Sequence, residues 1–436
     1  MAVTTSASPV LAHSASRPRL VRLRAVGKRL VPALVLVLGL GVSVPATAAD
    51  TVQPGHLPAP QGGTTAVGGG IGLTNENAQL ADRVPAAIKG GWRRSATSCP
   101  QSAGSGATSI SVTKKITVVH EIQYRCGWVS AYTTSSGKRL WTKRYLRSYR
   151  AQVMGSTVYV WHEDADGLER LDALRLTSGK RRWTTDNVGI GSQYDYAPAV
   201  GSHLVLTSLL AVDSRTGETR WSIPTDDTTS ENAASLIVDG RIYVNSSDGV
   251  SAYDAERGTK LWGRKKDGVG MWSGVSRPVL HDGRLYVSDL RTTLALDAAT
   301  GELVRRLPGT YRALALDGRV GFFTTSGYPE KSDTISAVDL FDGHVYWSHD
   351  LDLAEGETFR MTTTPPVVSN GLVWVQDGVS TGVKGRLVAL DEVTGSARSS
   401  TTQPCPPVMI DYASITIAQN RIFSPSTCGV LTYVKR

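Results

Sequence analysis

Short runs of alternating apolar and polar residues fill the chain from about Trp92 to its C-terminus. Four runs carry an Asp-Gly or Asn-Gly pair between two such segments: SLIVDGRIYVNS from Ser235, PVLHDGRLYVSD from Pro278, ALALDGRVGFFT from Ala313 and PVVSNGLVWVQD from Pro366. Both residues of a tight hairpin turn need positive φ, so these pairs are strong hairpin signals. No stretch of useful length has helical periodicity. The pattern predicts an all-β chain of antiparallel hairpins.

A second pattern recurs downstream of each hairpin: an apolar strand, a glycine turn, and a strand that usually ends in Trp. The seven repeat glycines are Gly137, Gly179, Gly217, Gly258, Gly301, Gly343 and Gly395. They are separated by 42, 38, 41, 43, 42 and 52 residues. Each unit therefore supplies four strands in about forty residues, which is typical of a propeller blade.

These strings resemble the pyrroloquinoline-quinone-like β-propeller repeat, whose motif is Ala-x-Asp-x-x-Thr-Gly-x-x-x-Trp. The resemblance implies that the Gly forms the turn between the last two strands and that the Trp packs between neighbouring blades. The motif Asp is matched by Asp213, Asp254, Asp297, Asp339 and Asp391. The docking Trp is matched by Trp141, Trp183, Trp221, Trp262 and Trp347.

Some copies depart from this motif. Thr133 and Arg175 replace the Asp, while Arg305 and Ser399 replace the Trp. We expect looser contacts between blades at the two positions that lack Trp. The resemblance is specific for fold and not for activity.

The ends of the chain decide the number of blades. After the last copy come a hairpin-like segment, ASITIAQNRIFSPS from Ala413, and a strand, GVLTYVKR from Gly429, without an outer strand. The segment KGGWRRS from Lys89 can supply that strand and so cover an open edge. The prediction is an eight-bladed β-propeller of four-stranded antiparallel blades over residues 86–436, with N- and C-terminal strands closing one blade. Seven blades are the alternative, since Trp92 lacks the rest of the motif.

Residues 1–48 are typical of a secretory signal peptide: a basic segment, the apolar run Leu30 to Val44, and a small-residue site before Ala49. A retained anchor is the alternative. Residues 49–85 are rich in Pro and Gly and predict a flexible linker. The net charge is +9, and removal of the six leader cations leaves +3. So small a charge argues against nucleic acid as a partner.

Four cysteines in an exported chain admit three pairings. By repeat register, Cys126 and Cys428 open equivalent strands, and Cys99 and Cys405 lie in the loops that enter those two blades. The entry loop and the second turn of a blade lie on the same face. We therefore predict the disulfides Cys99–Cys126 and Cys405–Cys428.

Enzymatic motifs are missing from the sequence. Quinoprotein dehydrogenases share the blade motif, and the resemblance implies that they hold the quinone with a vicinal Cys pair, a Trp and a calcium ion. This chain has no adjacent cysteines, no G-x-S-x-G, no H-E-x-x-H and no phosphate loop. Its histidines lack metal-ligand spacing. We predict no catalytic residue, no cofactor and no metal site.

Aromatic residues, often followed by Arg, recur just before the innermost strand of six blades. The candidates for partner binding are Tyr149, Arg150, Tyr196, Trp272, Tyr311, Arg312, Phe359, Arg360 and Tyr412. Entry loops converge over the central channel, and aromatic rings with Arg are typical of binding sites. The alternative is that these aromatics wedge between blades. Exposed arginines would favour the first interpretation, and buried side chains the second.

Together these features predict an exported, extracytoplasmic, non-enzymatic binding or scaffolding propeller, similar to the outer-membrane-assembly propeller. We expect a monomer without a stable membrane span that binds a protein or another cell-envelope component. A ligand- or glycan-sensing accessory subunit is the second hypothesis, and a quinoprotein dehydrogenase is the third.

Overall fold

The computed structural model of the protein describes residues 88–94, 106–123, 126–186, 199–201, 203–207, 210–223, 233–246, 249–265, 278–288, 293–307, 311–325, 333–351, 361–362, 365–378, 385–406 and 415–435. These residues form 33 β-strands in eight antiparallel sheets. The protein is an eight-bladed β-propeller, as predicted. None of the residues in these ranges belongs to a helix that could cross a membrane.

The strands of blades 1 to 4 run from the innermost to the outermost position. Blade 1 comprises β2 (Gly106–Val112), β3 (Ile116–Gln123), β4 (Cys126–Thr133) and β5 (Arg139–Tyr145). Blade 2 comprises β6 (Arg147–Met154), β7 (Thr157–Glu163), β8 (Glu169–Arg175) and β9 (Arg181–Asp186). Blade 3 comprises β10 (Ala199–Val200), β11 (Leu204–Leu206), β12 (Leu210–Asp213) and β13 (Thr219–Ser222). Blade 4 comprises β14 (Ala233–Val238), β15 (Arg241–Ser246), β16 (Gly249–Asp254) and β17 (Lys260–Lys265).

Blades 5 to 8 follow the same order, with two short strands sharing the innermost position of blade 7. Blade 5 comprises β18 (Val279–His281), β19 (Arg284–Ser288), β20 (Thr293–Asp297) and β21 (Leu303–Leu307). Blade 6 comprises β22 (Tyr311–Asp317), β23 (Val320–Thr325), β24 (Thr334–Asp339) and β25 (Val345–Asp350). Blade 7 comprises β26 (Met361–Thr362), β27 (Val367–Ser369), β28 (Leu372–Gly378), β29 (Arg386–Asp391) and β30 (Ala397–Thr402). Blade 8 comprises β31 (Thr416–Ala418), β32 (Arg421–Ser426), β33 (Gly429–Lys435) and β1 (Ile88–Arg94).

The two ends of the chain meet in blade 8. Strand β1 pairs antiparallel with β33, for example Gly90 with Tyr433. Trp92 of β1 then contacts blade 1, where its Nε1 donates to the Thr134 carbonyl at 3.1 Å. The predicted closing strand is thus confirmed, and Trp92 is a docking Trp although it lacks the rest of the motif.

The repeat motif joins each blade to the next. The docking Trp donates from Nε1 to a carbonyl of the next blade's glycine turn, as Trp141 does to Leu176 at 2.8 Å and Trp347 to Glu392 at 2.9 Å. Gly217 has φ +81°, and a Cβ there would lie 2.7 Å from the Trp183 ring. Only glycine therefore suits both the turn conformation and the close approach of the ring.

The motif Asp holds the same turn from within. Oδ1 of Asp297 accepts the backbone N–H groups of Ala299 at 2.9 Å and Thr300 at 2.8 Å. Where Thr133 replaces the Asp, its Oγ1 accepts the Lys138 N–H at 3.1 Å. The substituted turn therefore keeps one side-chain bond to its backbone.

One hairpin differs from its predicted register. Asp239, Asp282 and Asn370 have positive φ and form the turns with the glycines that follow them. In blade 6, however, Asp317 pairs with Val320, so Gly318 and Arg319 form the turn. A glycine in the first turn position permits this one-residue shift. The shift places Phe322 and Phe323 in the core.

The predicted disulfide Cys405–Cys428 is present and joins residues 23 positions apart in blade 8. Cys126 is in disulfide form as well. Its predicted partner, Cys99, lies outside the described residues, so the pair Cys99–Cys126 stays a prediction. The predicted signal peptide and linker lie outside them too.

Candidate functional site

The connections between blades and the turns between second and third strands lie on one side of the propeller, here called the entry face. Of the predicted site residues, Tyr149 and Arg150 belong to β6, and Tyr311 and Arg312 begin β22. The remaining five lie outside the described residues: Tyr196, Trp272, Phe359, Arg360 and Tyr412. The side chains of predicted site residues can therefore be described only at the junction of blades 1 and 2.

Tyr149 and Arg150 are held inside this junction. The Tyr149 hydroxyl donates to Glu163 Oε2 at 2.7 Å, and Arg147 Nη1 donates to the same oxygen at 2.8 Å. Burial and the Glu163 hydrogen bond raise the pKa of Tyr149 to about 12. Arg150 is only 5% exposed. At this blade Arg150 is buried in the junction, whereas the half-buried Tyr149 lies beside more exposed residues.

Two exposed leucines form that surface. Leu146 connects blades 1 and 2 and is 53% exposed, and Leu168 closes the turn between β7 and β8 and is 43% exposed. Arg147 pairs with Glu163 across β6 and β7, and Asp164 N–H donates to the Leu168 carbonyl at 3.0 Å. Both leucines therefore flank the same strand end. We call Leu146, Arg147, Tyr149, Glu163 and Leu168 the entry patch.

An acidic turn supports Leu168. Asp164 Oδ1 accepts the N–H groups of Asp166 and Leu168, both at 2.9 Å, and Asp164 Oδ2 accepts a hydrogen bond from Arg170. The carboxylate is thus committed to its own turn and to one arginine. This arrangement fixes the position of Leu168 and does not resemble a calcium loop, whose carboxylates converge on an ion.

A buried charged network lies behind the patch, between blades 1 and 2. Asp172 Oδ2 accepts from Lys143 Nζ at 3.0 Å and from the Tyr145 hydroxyl at 3.2 Å. His162 Nε2 lies 3.6 Å from Asp172 Oδ1. Burial would raise the pKa of Asp172, but nearby His162 and the charge and hydrogen bond of Lys143 hold it well below its usual range. The ionised carboxylate therefore fastens the two blades together beneath the patch.

A neutral histidine completes this junction. His120 is buried, and its Nε2 lies 2.8 Å from Ser148 Oγ. Burial and the nearby Arg150 charge lower the pKa of His120 to about 3. The ring is therefore uncharged at neutral pH. A histidine that stays neutral and bonded to a serine inside the wall serves to position β6 against blade 1.

The residues present do not fit the quinone site that the resemblance implies. That site needs adjacent cysteines, whereas Cys405 bonds to a cysteine 23 residues away and no two cysteines adjoin in the chain. Within the described ranges, no three His, Cys, Asp or Glu side chains are grouped to hold a metal ion. The entry patch instead presents two exposed leucines at the strand end where Arg147 and Tyr149 are bonded to Glu163.

Sequence reasoning missed Leu146, Arg147, Glu163 and Leu168, because isolated leucines and charges in loops carry no motif. Asp172 offered a signal that could have been used. It stands one residue before Ala173, where other copies have Ser130, Ser251 or Ser336. The remaining copies have Leu210, Leu294 or Val388 there, so Asp172 is the only charged residue at this repeat position and indicates a special contact between blades.

Comparison with known proteins places the fold in a family. The profile of the family described as outer membrane protein assembly factor BamB matches residues 91–271 and 246–424. No curated protein sequence matches the chain.

Solved structures share the fold at low identity. BamB from Moraxella catarrhalis is 18% identical, with a TM-score of 0.54 over 74% of this chain and 92% of that one. A europium-containing methanol dehydrogenase is 12% identical, with a TM-score of 0.54 over 74% and 84%. A quinohemoprotein alcohol dehydrogenase from Pseudomonas putida HK5 is 12% identical, with a TM-score of 0.57 over 83% and 79%. These likenesses concern the fold alone, whereas the family match covers most of the propeller. The chain belongs to the BamB family of PQQ-like β-propellers.

Proposed function

We propose that this protein is an extracytoplasmic scaffold that binds a protein partner of the cell envelope and has no catalytic activity of its own. The observation that carries the proposal is the entry patch, where two leucines are exposed on a rigid, internally bonded support. Membership of the BamB family adds to it, since the family description names an assembly factor. The predicted leader and the disulfide of blade 8 agree with a location outside the cytoplasm.

The chemistry of the patch suits protein binding. Interfaces combine an apolar centre with polar groups whose hydrogen bonds are already satisfied. Here Arg147 and Tyr149 both donate to Glu163, so a partner that covers them leaves no charge unpaired. The support is rigid as well, because Asp164 and Asp172 hold the turn and the blade junction. A preorganised surface loses little entropy on binding.

The predicted aromatic and arginine positions of the other blades extend this proposal along the entry face. They comprise Tyr196, Trp272, Tyr311, Arg312, Phe359, Arg360 and Tyr412. We propose that a partner seated at the entry patch also contacts the loops that carry these residues.

Site-specific photo-crosslinking tests the proposal in cells that make the protein. A photoreactive amino acid replaces Leu146 in one variant and Val393 in another. Val393 is similarly exposed, at 47%, but lies in a glycine turn on the opposite face. We expect one discrete crosslinked protein from position 146 and not from 393, and its loss when Leu168 is changed to Asp.

Two results would contradict the scaffold. One is equal crosslinking from both positions, since that indicates non-specific proximity. The other is saturable binding of pyrroloquinoline quinone with calcium, followed by absorbance, together with dye reduction by an alcohol. The second result would support the quinoprotein hypothesis instead.

A further inference from the structure

Positive charge is concentrated in two adjacent blades. In the described parts of blades 8 and 1, the only acidic side chain is Glu121, which is buried. The same residues include the cations Lys89, Arg93, Arg94, Lys114, Lys115, Lys138, Arg139, Lys143, Arg144, Arg421 and Lys435. Described residues of blade 2, by contrast, include the acids Glu163, Asp164, Asp166, Glu169, Asp172 and Asp186.

The exposed cations of blades 8 and 1 cluster at the outer edge and on the face opposite the entry face. Lys89, Arg93 and Arg139 lie on outermost strands, Lys114 and Lys115 in the turn after β2, and Lys138 in the turn after β4. These six residues are called the basic sector. Within the part of the chain that the structure describes, none of the six forms an ion pair. Their charge is therefore available to a ligand.

Contacts between the blades make the basic sector one continuous surface. Arg94 Nε donates to the Gly137 carbonyl at 2.7 Å, next to Lys138. Gln419 of blade 8 donates to the Lys114 carbonyl. Trp92 fills the junction beneath them. These contacts fix the backbone segments that carry the cations of the two blades relative to one another.

Neither the composition of the chain nor protection of strand edges explains the basic sector. From Ala49 onward the net charge is only +3, so other regions must carry more acidic than basic residues. Charged residues on outer strands, Lys in particular, prevent pairing with other chains, but Lys114, Lys115 and Lys138 lie in turns and not on an edge strand. A surface of one sign indicates an electrostatic partner of the opposite sign.

We propose that the basic sector binds a linear polyanion of the cell envelope that bears phosphate or carboxylate groups. Leu140, 42% exposed, is the one large exposed apolar side chain in the described parts of these two blades. A protein interface would need an apolar centre, and an interfacial membrane site would need apolar anchors. Lys and Arg spread over a curved edge suit a flexible chain of anions, and the Arg fork matches both anion types. The proposal does not depend on the entry patch, which lies on another face.

Two matched triple variants of the full chain test this inference. The first removes three cations of the basic sector: Lys89→Gln, Arg93→Gln and Arg139→Gln. The second removes three exposed cations of blades 3 and 4: Arg215→Gln, Arg257→Gln and Lys265→Gln. Both variants lower the net charge by the same amount, so a difference in their affinity for a polymer depends on where the removed cations lie. Binding of inorganic polyphosphate, of polygalacturonate and of phosphatidylglycerol vesicles is measured at about 50 and 200 mM salt.

We expect the wild type to bind at least one of the two polymers, more weakly at high salt. The first triple variant should lose at least about tenfold in affinity and show a shallower salt dependence, while the second stays within about twofold. Preference for polyphosphate or for polygalacturonate identifies the anion. Equal losses in both variants, or binding to vesicles alone, would overturn the proposal.

Lysine acetylation of the wild type provides a measurement that needs no variant. Bound polymer should protect Lys89, Lys114 and Lys138 while Lys265 stays reactive. Uniform protection of all four would also overturn the proposal. Because crosslinking at position 146 involves a different surface, failure of either test leaves the other proposal standing.

Discussion

At the scale of single residues, two departures from the repeat each place a carboxyl group in the interior. Asp172 stands at a position that is Ser or an aliphatic residue in the other copies, and its pKa is held low by nearby His162 and Lys143. Glu392 follows the motif Asp391, at a position that is Ala255 in blade 4 and Ala298 in blade 5. Its carbonyl accepts the hydrogen bond from Trp347, while its side chain lies against Asp317 of the neighbouring blade. The repeat accounts for the hydrogen bond from Trp347 to the backbone, and the replacement of Ala by Glu392 adds a titratable side chain at the same position.

Glu392 makes stability depend on pH. Burial, then the hydrogen bond and charge of Asp317, raise the pKa of Glu392 to about 8, from 4.5. A carboxyl whose pKa is raised by folding contributes stability that is fully present below the unfolded pKa and is lost as pH rises through the folded one. We therefore expect the free energy of unfolding to fall between about pH 5 and pH 9, with a slope of at most about 1.4 kcal/mol for each step of one in pH.

The variant Glu392→Gln keeps the neutral shape of the side chain and should flatten this pH dependence. Exposed Glu302, changed to Gln, serves as the control and should leave it unchanged. Urea unfolding at a series of pH values measures both. If the free energy of unfolding has the same dependence on pH in the wild type as in Glu392→Gln between pH 5 and pH 9, Glu392 ionises freely in the folded protein.

At the scale of strands and turns, the sequence predicted what depends on the repeat. The glycine turns, the docking Trp residues and three of the four hairpin turns could be located because each rests on a local rule. The fourth hairpin shifted by one residue, since Gly318 offers a second turn register that only the packing of Phe322 and Phe323 decides. The entry patch was not predictable, because only the pairing of β6, β7 and β8 brings Leu146 and Leu168 to the same strand end.

Blade 5 shows how the fold compensates for a missing docking Trp. Arg305 Nη1 donates to the Asp342 carbonyl at 2.9 Å, and Arg284 Nη1 to the Leu340 carbonyl at 3.4 Å. At the junction of blades 4 and 5, the Ala298 carbonyl of blade 5 accepts hydrogen bonds from Arg241 and Trp262 of blade 4, at 2.9 and 3.2 Å. The Leu340 carbonyl is therefore the equivalent of the carbonyl that accepts the docking Trp at other junctions. The Ala298 carbonyl shows that one such oxygen can accept from an arginine and from an indole together.

We accordingly predict that Arg305→Trp stabilises the propeller. The ring should cover the Gly343 turn and donate to Leu340, with a gain of about 1 kcal/mol from the buried apolar area. Thermal unfolding followed by circular dichroism measures it, and Arg306→Trp on the neighbouring position is the control. A lower Tm for Arg305→Trp than for the control would show that the junction of blades 5 and 6 has adapted to arginine.

At the scale of the whole molecule, closure of the ring depends on contacts far apart in sequence. Strand β1 covers β33, Trp92 docks on blade 1, and Thr432 Oγ1 donates to the Trp92 carbonyl at 2.7 Å. The disulfide Cys405–Cys428 ties the entry segment of blade 8 to the turn before its third strand. The count of eight blades was predictable because an unpaired strand at one end and an incomplete blade at the other complement each other.

Removal of β1 should therefore open the ring, whereas removal of the residues before it should not. A chain that begins at Ala86 keeps β1, and a chain that begins at Ser95 lacks it. We expect the shorter chain to lose about 3 kcal/mol or more, because the Trp92 contacts disappear and the edge of β33 becomes exposed. Guanidinium unfolding and size-exclusion chromatography compare the two, and the Ser95 chain should also self-associate through its open strand. If both chains unfold at the same midpoint and elute as the same species, the ring does not need β1 for closure.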